Sequence, residues 1–71
     1  MKAAPTRLLR RPEVLRMTGL ATSTMYSYMS QGTFPKPRKI GARSVAWPEE
    51  AVLDWIASRP VAELREEEAA G

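Results

Sequence analysis

The chain has 71 residues, of which 44% are hydrophobic and 27% charged, and 11 basic against 8 acidic side chains leave a net charge of +3. One small folded domain is expected at this length, without room for a deep pocket between two lobes. Cysteine and histidine are both absent, which excludes disulfides, thiolate chemistry, Cys-based metal sites and the usual proton-transfer residue near neutral pH.

The opening residues, MKAAPTRLLRRP, lack the apolar stretch of a secretory signal, and no apolar run approaches the ~18 residues of a membrane span. A cytoplasmic protein without a membrane segment is therefore expected. Residues 1–6 read as a flexible lead-in, and Arg7-Leu8-Leu9-Arg10 as a short strand or an extended approach to a helix. Pro12 suits a first helical turn, where a missing N–H costs nothing, and Glu13 suits the positive end of the helix dipole. Val14 and Met17 share a face, and Thr18-Gly19 closes this first helix with a left-handed cap.

A second helix is expected after Leu20, with Thr22 or Ser23 as its N-cap. Met25, Tyr28 and Met29 fall at i, i+3 and i+4 and form its apolar stripe, while Ser23, Thr24, Tyr26, Ser27 and Ser30 occupy other faces. Gln31-Gly32 ends it. Two short helices joined by a tight turn make a helix-turn-helix shape.

Pro35 and Pro37 hold residues 33–37 extended. Arg38-Lys39-Ile40, a break at Gly41-Ala42-Arg43, and Ser44-Val45-Ala46-Trp47 then read as a β-hairpin, with Ile40, Val45 and Trp47 toward the core. Pro48-Glu49-Glu50 opens a third helix whose stripe is Val52, Trp55 and Ile56, and Pro60 ends it. Both tryptophans are expected in the core, as are Met17, Met25 and Met29. Residues 60–71 form an acidic tail, either a frayed helix or disordered.

Charge is distributed unevenly along the chain. Nine basic residues stand against Glu13 alone through Pro48, whereas two stand against seven acids from Glu49 onward. That pattern points to a polyanion-binding body with an acidic end. Enzymatic constellations fare poorly: Glu50 and Asp54 share a solvated helix face, and the glycines are too scattered for a phosphate-binding loop. On the second helix, Thr22, Ser23, Thr24, Tyr26 and Ser27 are slim polar groups suited to a DNA groove. Lys36, Arg38, Lys39 and Arg43 supply cations on and beside the hairpin, with Arg43 at its tip. Arg10 and Arg11 are further phosphate candidates; Arg16 ranks below them. No cofactor or metal is expected.

The motifs EVLRMTGL, STMYSYM, QGTFPKPRKIG, RSVAW and AVLDWI, in this order and spacing over residues 8–59, resemble the AlpA family of phage and prophage regulators. Those are winged-helix proteins related to excisionases and MerR-type DNA-binding domains. The resemblance implies a mainly α fold with a small β-hairpin, a winged helix-turn-helix of three short helices plus a wing, over residues 7–59. It implies a regulator of a phage, prophage or integrative element that binds double-stranded DNA, or alternatively an excision factor shaping attachment sites. Ser23, Thr24, Tyr26 and Ser27 would lie on the recognition helix, and Lys36, Arg38, Lys39, Arg43 and Ser44 in or next to the wing. Ala21 stands where the family often has a serine cap, shifting capping to Thr22 or Ser23. Ser27 stands where arginine or lysine is common, shifting weight to the wing. A homodimer or cooperative head-to-tail assembly on DNA is a further expectation, and the competing class is a protein-interaction module in which the acidic tail and third helix dock on an integrase, an RNA polymerase or another copy.

Overall fold

The first helix begins where its sequence says it should. In the computed structural model, which describes residues 7–62, α1 covers Arg11–Thr18 with Pro12 and Glu13 in its first turn. Gly19 ends it at φ 74°, donating its N–H to the Leu15 carbonyl at 2.8 Å. Only a residue without Cβ adopts that left-handed turn at little cost. Thr18 then braces the turn: its hydroxyl donates to the Val14 carbonyl at 2.9 Å and accepts the Leu20 N–H at 3.3 Å.

Helix α2 covers Thr22–Gln31 and ends at Gly32, φ 80°. Its start corrects the expected capping. Ala21 occupies the N-cap position in extended backbone, and no side chain caps the helix. The turn is so short that the chain enters helical geometry at Thr22, which places both Thr22 and Ser23 inside the first turn, where neither can act as cap. Beyond Gly32, the Thr33 N–H and hydroxyl both bond the Tyr28 carbonyl, at 2.9 and 3.2 Å.

The ambiguous lead-in is a strand. β1 (Leu8–Leu9) pairs antiparallel with β3 (Val45–Pro48), which also pairs antiparallel with β2 (Arg38–Lys39), giving the order β1-β3-β2. Leu8 lies opposite Pro48 and Leu9 opposite Trp47. Helix α3, Glu49–Ala57, follows directly, with Glu49 and Glu50 in its first turn. The helix stops at Ala57, before Pro60, at the Ser58 cap.

Leu9, Val14, Met25, Phe34, Trp47 and Val52 form the core, with Leu15, Met17, Leu20, Tyr28, Met29 and Trp55 packed around it. Each fully buried large apolar side chain contributes about 1.5–3 kcal/mol relative to exposure. Both indole N–H groups are satisfied, Trp47 by the Pro35 carbonyl at 2.9 Å and Trp55 by that of Thr33 at 2.6 Å.

Three expected core residues are not core. Ile40 is 45% exposed, Val45 40% and Ile56 37%. Strand register explains the first, and position beside the hairpin loop the second. Arg38 faces Ala46 and Lys39 faces Val45, so alternation sends Ile40 to the side of Arg38, away from Trp47. Val45 does share the Trp47 side, but it sits next to the hairpin loop, where it lines an open cleft with Arg43 instead of packing under a helix. Ile56 lies at the rim of the α3 stripe, whose centre is Val52. Ala46, in contrast, is fully buried at the centre of the sheet. These three helices and the small antiparallel sheet make the winged helix-turn-helix architecture, with the β2–β3 hairpin as wing. The expected lead-in over residues 1–6 and the tail beyond Ala62 lie outside the described residues.

Candidate nucleic-acid interface

Local sequence fixes the exposed face of α2. With Met25, Tyr28 and Met29 committed to the core side, the 100° rotation per residue turns Thr22, Ser23, Tyr26, Ser27 and Ser30 outward, and all five are exposed. Thr24 is half-buried. The missing cap leaves the first-turn N–H groups of Thr22, Ser23 and Thr24 without an intrahelical acceptor, pointing along the positive end of the helix dipole. No acidic side chain occupies that turn. Within the face, Gln31 donates from Nε2 to the Ser27 hydroxyl at 3.3 Å.

Strand β1 ends beside β3 and delivers Arg10 and Arg11 to the start of α1. There they meet two residues from distant parts of the chain. A cleft of about 410 Å³ is lined by Arg10 and Arg11, by Tyr26 of α2, by Arg43 of the wing loop, and by Val45 and Trp47 beneath. Arg11 Nη1 lies 3.4 Å from the Tyr26 hydroxyl, so the phenol and guanidinium are placed as a unit. Four of the residues expected at the interface therefore converge in one open basic notch between the second helix and the wing.

The other expected residues are placed differently. Lys36 is exposed on the proline-stiffened connection between α2 and β2. Arg38 lies across the sheet from the cleft: with Leu8, Lys39, Pro48 and Glu50 it lines a separate shallow depression of about 630 Å³. Ser44 is half-buried, and its carbonyl closes the hairpin by accepting the Ile40 and Gly41 N–H groups at 2.8 and 3.2 Å. Its place in the wing is structural at the backbone.

Ion pairing sorts the cations. Arg7 reaches Glu13 at 3.9 Å and Glu49 at 3.5 Å, and Arg16 reaches Glu13 at 3.5 Å. Exposed pairs of this kind contribute about 0.2–1 kcal/mol each, yet they neutralise those two arginines locally. Among the described residues, no ion pair engages Arg10, Arg11, Lys36, Arg38, Lys39, Arg43 or Arg59. This separation of Arg7 from Arg10 and Arg11 was not visible in sequence; the strand reading of Leu8-Leu9 was the available clue, since alternation through it turns neighbouring arginines to different sides. Among the described residues, no group of three or more His, Cys, Asp and Glu side chains gathers as a metal site, and no helix is long and apolar enough to cross a membrane.

The family model described as Prophage CP4-57 regulatory protein (AlpA) matches residues 7–60. The chain is 37% identical over 59 residues to the DNA-binding transcriptional activator AlpA of Escherichia coli K12, a match spanning 75% of this chain and 84% of that protein. It is 42% identical over 53 residues to the uncharacterized protein ORF88 of Enterobacteria phage P4, spanning 75% of this chain and 60% of the phage protein.

Proposed function

The chain belongs to the AlpA family of prophage regulatory proteins, and on that premise we propose that it is a transcriptional regulator of a phage, prophage or integrative element that binds double-stranded DNA. Residues 7–59 form the DNA-binding unit, which works by binding and not by catalysis, in the bacterial cytoplasm. Helix α2 enters the major groove, with Thr22, Ser23, Tyr26 and Ser27 toward base edges and nearby phosphates. Arg43 carries the wing to the flanking backbone or minor groove, and Arg10 and Arg11 hold the phosphate between wing and helix. Lys36 and Lys39 add backbone contacts along the connection and the edge strand, and Arg38 reaches the backbone from the far side of the wing.

The single observation that carries this reading is the basic cleft, in which Arg10, Arg11 and Arg43 converge beside Tyr26 without a carboxylate. Three arginines lining one cleft with no carboxylate among them favour an anion there, and a phosphate oxygen with forked donors around it fits that need. A helix in the groove beside this cleft also presents its uncapped N-terminal N–H groups to backbone phosphate.

Salt titration of duplex binding tests the proposal. Each phosphate contact contributes about −0.9 to the slope of log K against log[salt]. Arg43→Ala is expected to flatten the slope by about one contact's worth, or to relax sequence preference if Arg43 reads a groove. An unchanged slope together with unchanged preference removes the wing tip from the interface.

A further inference from the structure

Arg59 belongs to the acidic part of the chain, yet the structure sets it on the tryptophan that packs against the end of α2. Trp55 of α3 packs on the end of α2: its ring lies 6.4 Å from that of Tyr28, and its indole N–H bonds the Thr33 carbonyl at 2.6 Å, just past the helix. Arg59 is stacked on the same indole, its guanidinium carbon 4.5 Å from the ring centroid. Arg59 Nε also donates to the Trp55 carbonyl at 3.3 Å, and Nη2 to the Ser58 hydroxyl at 3.2 Å. The cation is thus held in one place, and among the described residues no carboxylate neutralises it.

Helical geometry gives that place a meaning. At about 100° per residue, the exposed polar strip of α2 centres on Ser23, Ser27 and Ser30; Tyr26 lies on one side of it, and Tyr28 lies round the other side, past Gln31 and Thr24 at the edge of the core stripe. Tyr26 carries Arg11 on one flank. Tyr28 carries Trp55, and through it Arg59, on the other. An α-helix about 10–12 Å across fills a major groove about 12 Å wide, with a phosphate backbone along each border.

Building on the proposed DNA-binding function, we propose that Arg59 is a second backbone anchor, meeting phosphate on the groove border opposite the one served by Arg10, Arg11 and Arg43. Of its donors, Nε and Nη2 have partners within the protein, five N–H groups leave others for a phosphate, and a guanidinium is weakly hydrated enough to keep the stack on Trp55 while bonding it. The anchor fixes how α2 is rolled in the groove, because contacts on one border alone leave the helix free to pivot.

The test uses the full chain and a fluorescently labelled mixed-sequence duplex, comparing Arg59→Gln, Arg59→Lys and Arg43→Ala with the parent across a salt series. Thermal melting is followed in parallel. Arg59→Gln keeps a stem and a donor but no charge, and is expected to flatten the log K against log[salt] slope by about 0.9. Arg59→Lys is expected to restore the slope. An Arg59→Gln slope equal to the parent's overturns the anchor, and so does weaker binding that tracks a lowered melting temperature at constant slope, which marks a helix-end role only. If Arg43→Ala flattens the slope and Arg59→Gln does not, the anchor alone fails. If neither variant changes it, the DNA-binding reading of the cleft fails with it.

Discussion

Tyr26 is the residue on which the proposed interface turns, because it belongs both to the polar face of α2 and to the basic cleft. It is 44% exposed, and its hydroxyl meets Arg11 at 3.4 Å. Surface substitutions away from caps and cores usually change stability by less than about 0.5 kcal/mol, so Tyr26→Ala is expected to leave the melting temperature almost unchanged. Removing the hydroxyl and the ring that positions Arg11 is expected to weaken duplex binding by about tenfold, the equivalent of a hydrogen bond of roughly 1.4 kcal/mol. Fluorescence anisotropy with a duplex and a thermal melt check both halves. A large loss of stability with proportionate loss of binding identifies Tyr26 as a core residue instead. The exposure of Tyr26 on α2 was legible because helical periodicity is local. Its contact with Arg11 spans fifteen residues and depends on how the first two helices cross, which no local pattern encodes.

At the scale of elements, the distinctive feature is the uncapped start of α2. An N-cap side chain normally satisfies an orphan N–H, and gaining one is worth about 0.5–2 kcal/mol. Ala21 forgoes that stabilisation and keeps the helix N-terminus open to an external anion. Ala21→Asp is therefore expected to raise the melting temperature, through the cap and the helix dipole together. The same substitution is expected to weaken duplex binding several-fold, since a carboxylate then occupies the place intended for phosphate. Raised stability with undiminished affinity would show that the N-terminus of α2 faces away from DNA. Element ends were legible where one residue decides them: Gly19 and Gly32 both adopt the left-handed conformation their type suggests. They were illegible where the decision is shared. Thr22 and Ser23 are both excellent cap residues, and the helix begins at Thr22, with Ala21 in the cap position, because the short turn beginning at Gly19 delivers the chain there.

Across the whole molecule, one sheet organises everything the sequence left open. β1 and β3 come from opposite ends of the fold, and their pairing of Leu8 with Pro48 and Leu9 with Trp47 makes Leu9 core and brings Arg10 to the wing. Phe34, 3% exposed, joins the core from a proline-rich connection with no periodicity to betray it. Ile40 and Val45 were misread because a hairpin's faces follow from register, which turns Ile40 away from Trp47, and from what covers them, which leaves Val45 open beside the loop. The resulting domain is small, and a single module of this kind buries roughly 600–1,000 Å² on DNA. We therefore expect cooperative binding to repeated sites or as a dimer, seen as higher affinity per site on a two-site duplex than on a one-site duplex; equal affinities would contradict it. The central claim is that DNA is met by the face carrying α2, the cleft and the wing tip. Backbone amide NMR shifts recorded as a duplex is added test this most directly. The account predicts that the largest changes fall on Arg10, Arg11, Thr22 to Ser27 and Arg43, leaving Leu53 and Asp54 of α3 unmoved. Changes concentrated on Leu53, Asp54 and Leu8, with the cleft residues unaffected, would contradict it.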